Sequence, residues 1–287
     1  MQMTPEEAER IVQAQWDLDV EAWKAHWVPI FRRFAHDLVV DAGISAGQVV
    51  LDVGTGTGVA AFEAARKTKS PGFVFGIDRS KSMVTSATSD ASRTGSRQLC
   101  FLQMDSRHLY FPDRLFDAVI SNCGISLPTL HETVPESFRV LRRGGCFAYS
   151  DWHLRDVMAH RIFGEVLQRH RTPTPSRRLR IQRTAFATYE RYGNREMSLT
   201  AQLKALRSAG FVGIKLKHRI YRIRLGSVYD FLENRFSRTP VRLELRELTA
   251  RERRALYEEL EDNLRQFTRK NSFIFDWKVS FIRARKA

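Results

Sequence analysis

The sequence predicts an open, doubly wound α/β fold, built on a mostly parallel sheet of seven strands. Three observations carry this expectation. Apolar strand-like runs alternate with helix-like runs from about residue 45 onward, the pattern of a parallel sheet covered on both faces. The strand runs are continuous rather than alternating in polarity, so both of their faces must be buried. A glycine turn, "GTGTG" at 54–58, follows the first run and opens a helix. Open α/β sheets bind ligands at such a turn, on the carboxyl edge of the strands.

Taken in order, residues 5–42 carry Trp16, Val20, Trp23, Trp27, Phe31, Phe34 and Leu38 at roughly helical spacing, interrupted near Pro29. Residues 1–44 are therefore expected to form a helical cover ahead of the main domain. The sheet then reads as "QVVLDV" followed by helix "VAAFEAARK", and "FVFGID" by "SKSMVTSATSDA". Next come "LCFLQMD", then "FDAVIS" with helix "ETVPESFRVLRR", and "CFAYSDW" after a Gly144-Gly145 turn.

Beyond residue 151 the pattern loosens. "LRDVMAHRIFGEVLQRH" reads as a helix and "RTPTPSRRLRIQR" as a basic loop, because Pro173 and Pro175 deny it regular structure. "SLTAQLKALRSAG" has Ser198 as an N-cap and Gly210 as a stop. "FVGIKLKHRIYRIRL" is β-rich, residues 226–268 read as two helices joined by "SRTP", and "SFIFDWKVSFIRARK" alternates like a strand able to rejoin the sheet. On this reading residues 45–287 are one domain, with 152–197 and 226–270 as insertions on the substrate side.

Composition narrows the function. No apolar run is as long as a membrane span, and the start "MQMTPEEAERIVQAQW" is too acidic and polar for a signal peptide, so the cytoplasm is the expected location. Cys100, Cys123 and Cys146 show no CxxC spacing, which argues against a zinc site or a disulfide framework and leaves them as reduced thiols. No metal is expected. The net charge of +15 is uneven: residues 1–150 hold 16 Lys and Arg against 17 Asp and Glu, and the remainder 31 against 15. A basic second half attracts an anionic substrate, RNA or a membrane face, or is simply an Arg-rich solvated surface.

The turn itself has the spacing D-x-G-x-G-x-G from Asp52 to Gly58. A nicotinamide-type fingerprint needs its third glycine at position 59, where Val59 stands, and no Gly-Lys-Ser/Thr follows to make a P-loop. An acid ahead of the turn repels a bare pyrophosphate. It suits a ligand with positive charge.

These motifs resemble the class I S-adenosylmethionine-dependent methyltransferases over about residues 45–220. The resemblance implies that Asp52, Gly54, Thr55, Gly56 and Gly58 wrap the methionine and ribose part of the cofactor, whose ammonium and sulfonium are cationic. In "VFGIDRS" it implies that Asp78 accepts hydrogen bonds from the ribose hydroxyls, with Arg79 beside it. In "QMDSRHLYF" it implies that Asp105 contacts the adenine amino group and that Ser106 adds a backbone amide. Asn122, ending "FDAVISN", is expected near the methionine end. Met83 is placed to pack on the adenine or in the core. "FRVLRRGG" is similar to the family's "RVLKPGG", with Arg143 where proline is usual.

The acceptor is less legible. Enzymes of the family that methylate exocyclic amines carry Asn-Pro-Pro-aromatic after the fourth strand, whereas this chain has Ser121-Asn122-Cys123-Gly124. Cys123 lacks the preceding proline of the cytosine C5 enzymes and reads better as a buried or pocket-lining thiol. In "SDWH", Asp151 and His153 fall near the methyl side, and His153 has the pKa range of a general base. His131 is the weaker candidate. The arrangement resembles the branch acting on quinone precursors and secondary metabolites, which implies methyl transfer to O, N or C of a small, aromatic or anionic acceptor. Two other readings stay open: an RNA methyltransferase using the basic half, and a non-catalytic S-adenosylmethionine-binding partner subunit.

Overall fold

The computed structural model describes residues 3–18, 20–125, 129–152, 157–196, 198–231, 240–270 and 272–287. Its strands are β1 (Val49–Val53), β2 (Phe73–Asp78), β3 (Leu99–Gln103), β4 (Phe116–Asn122), β5 (Leu141–Trp152), β6 (Phe211–Leu225), β7 (Thr268–Arg269) and β8 (Ser272–Lys286). They form one sheet in the order β3-β2-β1-β4-β5-β8-β6, with the short β7 paired to β8. β1 pairs in parallel with β2 on one side and β4 on the other, and β2 with β3 and β4 with β5 are parallel too. Strand order reverses between β1 and β4, which opens the ligand crevice at their carboxyl ends.

The chain divides into two compact units. The larger comprises Trp16–Asp151, Tyr189–His218 and Ser280–Ala287. Alternation along its strands sends Leu51, Val53, Val119, Phe147 and Tyr149 into one core with Val134 of α6 (Leu130–Val140) and Leu206 of α9 (Leu199–Ser208). The opposite face carries α3 (Val28–Ala42) and α4 (Val59–Thr68). Buried Phe34 and Leu38 of α3 each contribute roughly 1.5–3 kcal/mol by leaving water. Buried Ala60, Ala61 and Ala64 let α4 approach the sheet closely. The remaining helices of this unit are α2 (Val20–His26) and α5 (Lys81–Arg93).

The smaller unit comprises Met1–Gln15, Trp152–Thr188 and Arg219–Val279. It holds α1 (Pro5–Gln13), α7 (Met158–Arg169), most of α8 (Arg177–Glu196), α10 (Val241–Glu247) and α11 (Ala250–Leu264). Its core is aromatic: Phe231, Phe273 and Phe275 meet at ring separations of 5.0–5.5 Å, with His160 edge-on to Phe231 at 5.4 Å. Burial pushes the His160 imidazole down to about 3, so it is neutral at physiological pH.

Three expectations need correction. "RTPTPSRRLRIQR" is a loop only as far as Ser176, whose hydroxyl accepts from the Leu179 amide and caps α8 immediately after the prolines. Of "SRTP", residues 237–239 lie outside the described residues. The helical run beyond it breaks at Leu248, because Thr249 and Glu252 form a reciprocal cap that starts α11 afresh. The Gly144-Gly145 turn is a bulge inside β5. Leu141 pairs with Phe116 and Cys146 with Ala118, so the four residues between them arch out, and Gly144 takes φ +73° there. The last strand does rejoin the sheet, between β5 and β6.

Candidate functional site

Asp52 lies next to last in β1, 1% exposed. The Thr55 hydroxyl donates to its Oδ2 at 2.7 Å. Its Oδ1 is buried and meets no donor in hydrogen-bonding geometry among the described residues. Burial pushes the Asp52 carboxyl up to about 7, and the charge of Asp78 adds to this, while the Thr55 hydroxyl and the Ala61 backbone oppose it. A buried acid in this state is short of a donor or a cation.

The glycine turn is shaped by close approach. Gly54, Gly56 and Gly58 have φ of +66°, +54° and +86°, a region other residues avoid. A Cβ on Gly54 would stand 2.5 Å from the Gly124 carbonyl oxygen, and one on Gly58 would strike the rings of Phe62 and Phe101. Gly56 differs from both. A Cβ there would meet only Trp23 Nε1, at 3.9 Å, so this side of the turn is open toward α2.

Asp78 ends β2 and clamps the turn. Its Oδ2 accepts from the Gly56 amide at 2.8 Å and its Oδ1 from the Ser80 amide at 2.9 Å. Burial raises its pKa, the two amides and Arg79 oppose that, and the nearby charge of Asp17 adds to it. Asp17, ahead of α2, accepts from the Ser80 hydroxyl at 2.6 Å and the Ser82 amide at 3.3 Å. Lys24 of α2 pairs with Asp90 of α5 at 2.8 Å. These contacts strap the α2 segment along α5, from its cap at Ser80 to Asp90 in its last turns. Trp23 stacks on Trp27 (5.7 Å, 18°) and packs on Phe31.

Asp105 follows β3. Burial works against its charge, but the Arg107 side chain and amide, with Arg79, outweigh it and hold the carboxyl below the usual range. Arg107 Nη2 donates to Asp105 Oδ2 at 2.7 Å, and Arg79 Nε lies 3.5 Å from the same oxygen. The Ser106 hydroxyl is tied to Thr133 at 2.8 Å. Met83 is 3% exposed, in the first turn of α5. Asn122 ends β4, where its Nδ2 donates to the Phe31 carbonyl and its Oδ1 accepts from Ser150. Asp52, the three glycines, Asp78 and Asn122 thus gather at the carboxyl edge of β1, β2 and β4, with Asp105 beyond β3.

His153 lies outside the described residues. His131 is exposed, in the first turn of α6. Cys123 takes φ +57° and is half-buried beside Ser150, and desolvation pushes its thiol well up, which disfavours the thiolate a nucleophile needs.

Sequence reasoning missed three residues. Gly124 packs backbone to backbone on the glycine turn, and a Cβ on it would stand 2.5 Å from the Gly54 carbonyl oxygen; its signal is a glycine two residues past the end of a strand. Asp17 has no local signal, because its partners are 63 and 65 residues away. Gln202, 2% exposed on α9, accepts from the Tyr149 hydroxyl at 2.8 Å and donates to Asp151 Oδ2 at 3.2 Å.

Residues 44–175 match the family model described as a methyltransferase domain. The sterol 24-C-methyltransferase of Gibberella zeae is 37% identical over 126 residues, 43% of this chain and 32% of that protein. The arsenite methyltransferase of Halobacterium salinarum is 33% identical over 111 residues, 38% and 28%. The aklanonic acid methyltransferase of Streptomyces sp. strain C5 is 35% identical over 105 residues, 36% and 48%. The matched stretch therefore spans about a third to a half of these relatives' length. In fold, the chain is similar to phosphoethanolamine N-methyltransferase 2 of Haemonchus contortus (TM-score 0.56, 16% identity, 99% of this chain and 60% of that one), solved with S-adenosylhomocysteine. A candidate methyltransferase of Bacillus halodurans C-125 gives a TM-score of 0.57 at 19% identity, over 88% and 98% of the two chains. The strand order, the clamped glycine turn and these matches agree: over residues 44–175 the chain is similar to methyltransferase domains.

Proposed function

We propose that the chain transfers a methyl group from S-adenosylmethionine to a small-molecule acceptor. The observation that carries this is Asp52: a buried acid with an unsatisfied oxygen, set behind a glycine turn whose Gly56 side is open. A cationic ligand with hydroxyls fits these groups, and a pyrophosphate does not. When bound, the cofactor supplies an electrophilic methyl group on a sulfonium.

The residues would hold it as follows. Asp52 faces its positive charge and favours binding as the carboxylate. Asp78 uses one lone-pair direction on each oxygen for the Gly56 and Ser80 amides, so each oxygen retains capacity to accept a ribose hydroxyl. Asp105, kept ionised by Arg107 and Arg79, offers an acceptor to an amino group. Gly54, Thr55, Gly56 and Gly58 provide the bare backbone, Ser106 an amide, Met83 apolar surface, and Asn122 the far end. Trp23 and Trp27 exclude water above the turn. Holding donor and acceptor in line is the main contribution such an enzyme makes, worth roughly 7–11 kcal/mol of barrier.

Small acceptors are favoured by the company the domain keeps, since the matched relatives are named for sterol, arsenite and aklanonic acid. A role in secondary metabolism and a cytoplasmic setting belong to the same reading, and free Cys100, Cys123 and Cys146 fit a reducing compartment. Among the described residues no helix is long and apolar enough to cross a membrane.

Calorimetric titration with S-adenosylmethionine, using NAD as control, tests the cofactor. Micromolar binding of the first and none of the second is expected, and the reverse overturns the reading. Transfer of labelled methyl groups to a panel of phenols, amines and polyketide-like acids, with bulk tRNA alongside, tests the acceptor. Steeply salt-dependent tRNA binding with transfer to tRNA alone would replace the small molecule by RNA.

A further inference from the structure

A second buried carboxylate lies at the carboxyl edge of the sheet, on the strand next to β4. Asp151, in β5, is 9% exposed. Its Oδ2 accepts from Gln202 Nε2 at 3.2 Å, and Gln202 Oε1 accepts from the Tyr149 hydroxyl at 2.8 Å. The two bonds fix the amide's direction: with its oxygen committed to Tyr149, only its N–H group can face the acid. Burial, with the charge of Asp151 second, keeps the Tyr149 hydroxyl protonated and therefore a donor. Tyr149, Gln202 and Asp151 thus form a relay that orients one carboxylate at a strand end.

On the cofactor reading above, Asp78 on β2 would hold the ribose and Asp105 beyond β3 the adenine, which would leave the β4 and β5 strand ends to the sulfonium. Gly124 touches the glycine turn at Gly54, and the Cys123 amide beside it donates to the Ser150 carbonyl at 3.2 Å. Two short steps of backbone therefore connect the turn to Asp151, whose charge is felt at Cys123.

We infer that Asp151, held by Gln202, is the residue that tells a positively charged methyl donor from its neutral product. The inference rests on the cofactor reading above and deepens it. A carboxylate in a water-poor setting attracts a sulfonium more strongly than a neutral thioether. Asp151 therefore retains the charged donor, and its attraction vanishes once the methyl group and its charge have left. Gln202 and Tyr149 are positioning residues.

The test needs no acceptor. Affinities of the full chain for S-adenosylhomocysteine and for sinefungin, which carries a protonated amine near the position of the methyl group, are measured by calorimetry. In Asp151→Asn the sinefungin to S-adenosylhomocysteine affinity ratio is expected to fall about tenfold, the effect of removing one partly buried charge partner. Asp151→Glu, which keeps the charge, should recover most of it. An unchanged ratio in Asp151→Asn overturns the inference. Should that variant fail to fold, Tyr149→Phe removes the donor that commits the Gln202 oxygen and is expected to lower the ratio about threefold; no change there overturns it equally. A wild-type chain that binds none of these ligands removes the cofactor reading itself, and this inference with it.

Discussion

The Gly56 amide donates to Asp78 Oδ2 at 2.8 Å, so the acid that ends β2 holds the middle of a turn that follows β1. One carboxylate shapes the turn and faces the ligand. Asp78→Ala removes both functions, and its effect on S-adenosylmethionine affinity is expected to reach about 10–100-fold, the value of one or two charge-assisted hydrogen bonds. Asp78→Asn keeps one acceptor oxygen and should lose less. Equal losses in the two variants, measured by calorimetry, would contradict the clamp.

The glycines separate fold from function. A Cβ at Gly54 meets backbone of Gly124 at 2.5 Å, so Gly54→Ala should destabilise the domain by about 3 kcal/mol or more. Gly56 has room, and Gly56→Val carries only the strain of a positive φ, about 1–3 kcal/mol. The expected result is a folded Gly56→Val protein that no longer binds the cofactor. Thermal melts beside binding titrations decide this.

Asp52 makes binding pH-dependent. Its folded pKa stands near 7 against an ordinary 3.8, and a cationic ligand needs the ionised form. Affinity should fall as pH drops below about 7, with proton release on binding near pH 6.5. Stability runs the opposite way. The folded state holds this proton more tightly than the unfolded chain, so the stabilisation is complete below about pH 4 and is lost as pH rises through 7. Asp52→Asn should therefore melt higher than the parent at pH 8 while binding the cofactor more weakly. A lower melting temperature at pH 8 would sink the assignment.

Trp23 reports on the site. Its Nε1 lies 3.9 Å from the place a Gly56 Cβ would occupy, so cofactor binding is expected to alter tryptophan emission. Trp23→Ala should abolish most of that change and weaken binding by about 5–10-fold through lost apolar cover. An undiminished signal would assign the response to another tryptophan.

In the smaller unit, Glu244 is 1% exposed and takes two bonds of 2.6 Å from Arg183. Arg183→Met leaves a buried charge poorly compensated, with Arg171 at 3.4 Å as its other cation. A loss of about 3 kcal/mol is expected in denaturant melts. Glu244→Gln in the same background should restore part of it.

The sequence by itself determined the sheet's strands, the glycine turn and the acids Asp52, Asp78 and Asp105, because each depends on neighbours within a few residues. Apolar continuity marks a strand buried on both faces, and a turn with positive φ at three alternate positions favours glycine at Gly54, Gly56 and Gly58. The start of α8 was misread for the same local reason, since two prolines spoke louder than the Ser176 cap behind them. Tertiary structure alone decided the rest. Asp17 reaches Ser80 across 63 residues, Asp78 reaches Gly56 across 22, and Gln202 reaches Asp151 across 51. No period or spacing encodes these meetings. They follow from strand order, which brings the carboxyl ends of β1, β2, β4 and β5 to one edge, and from burial, which makes each polar group there find a partner.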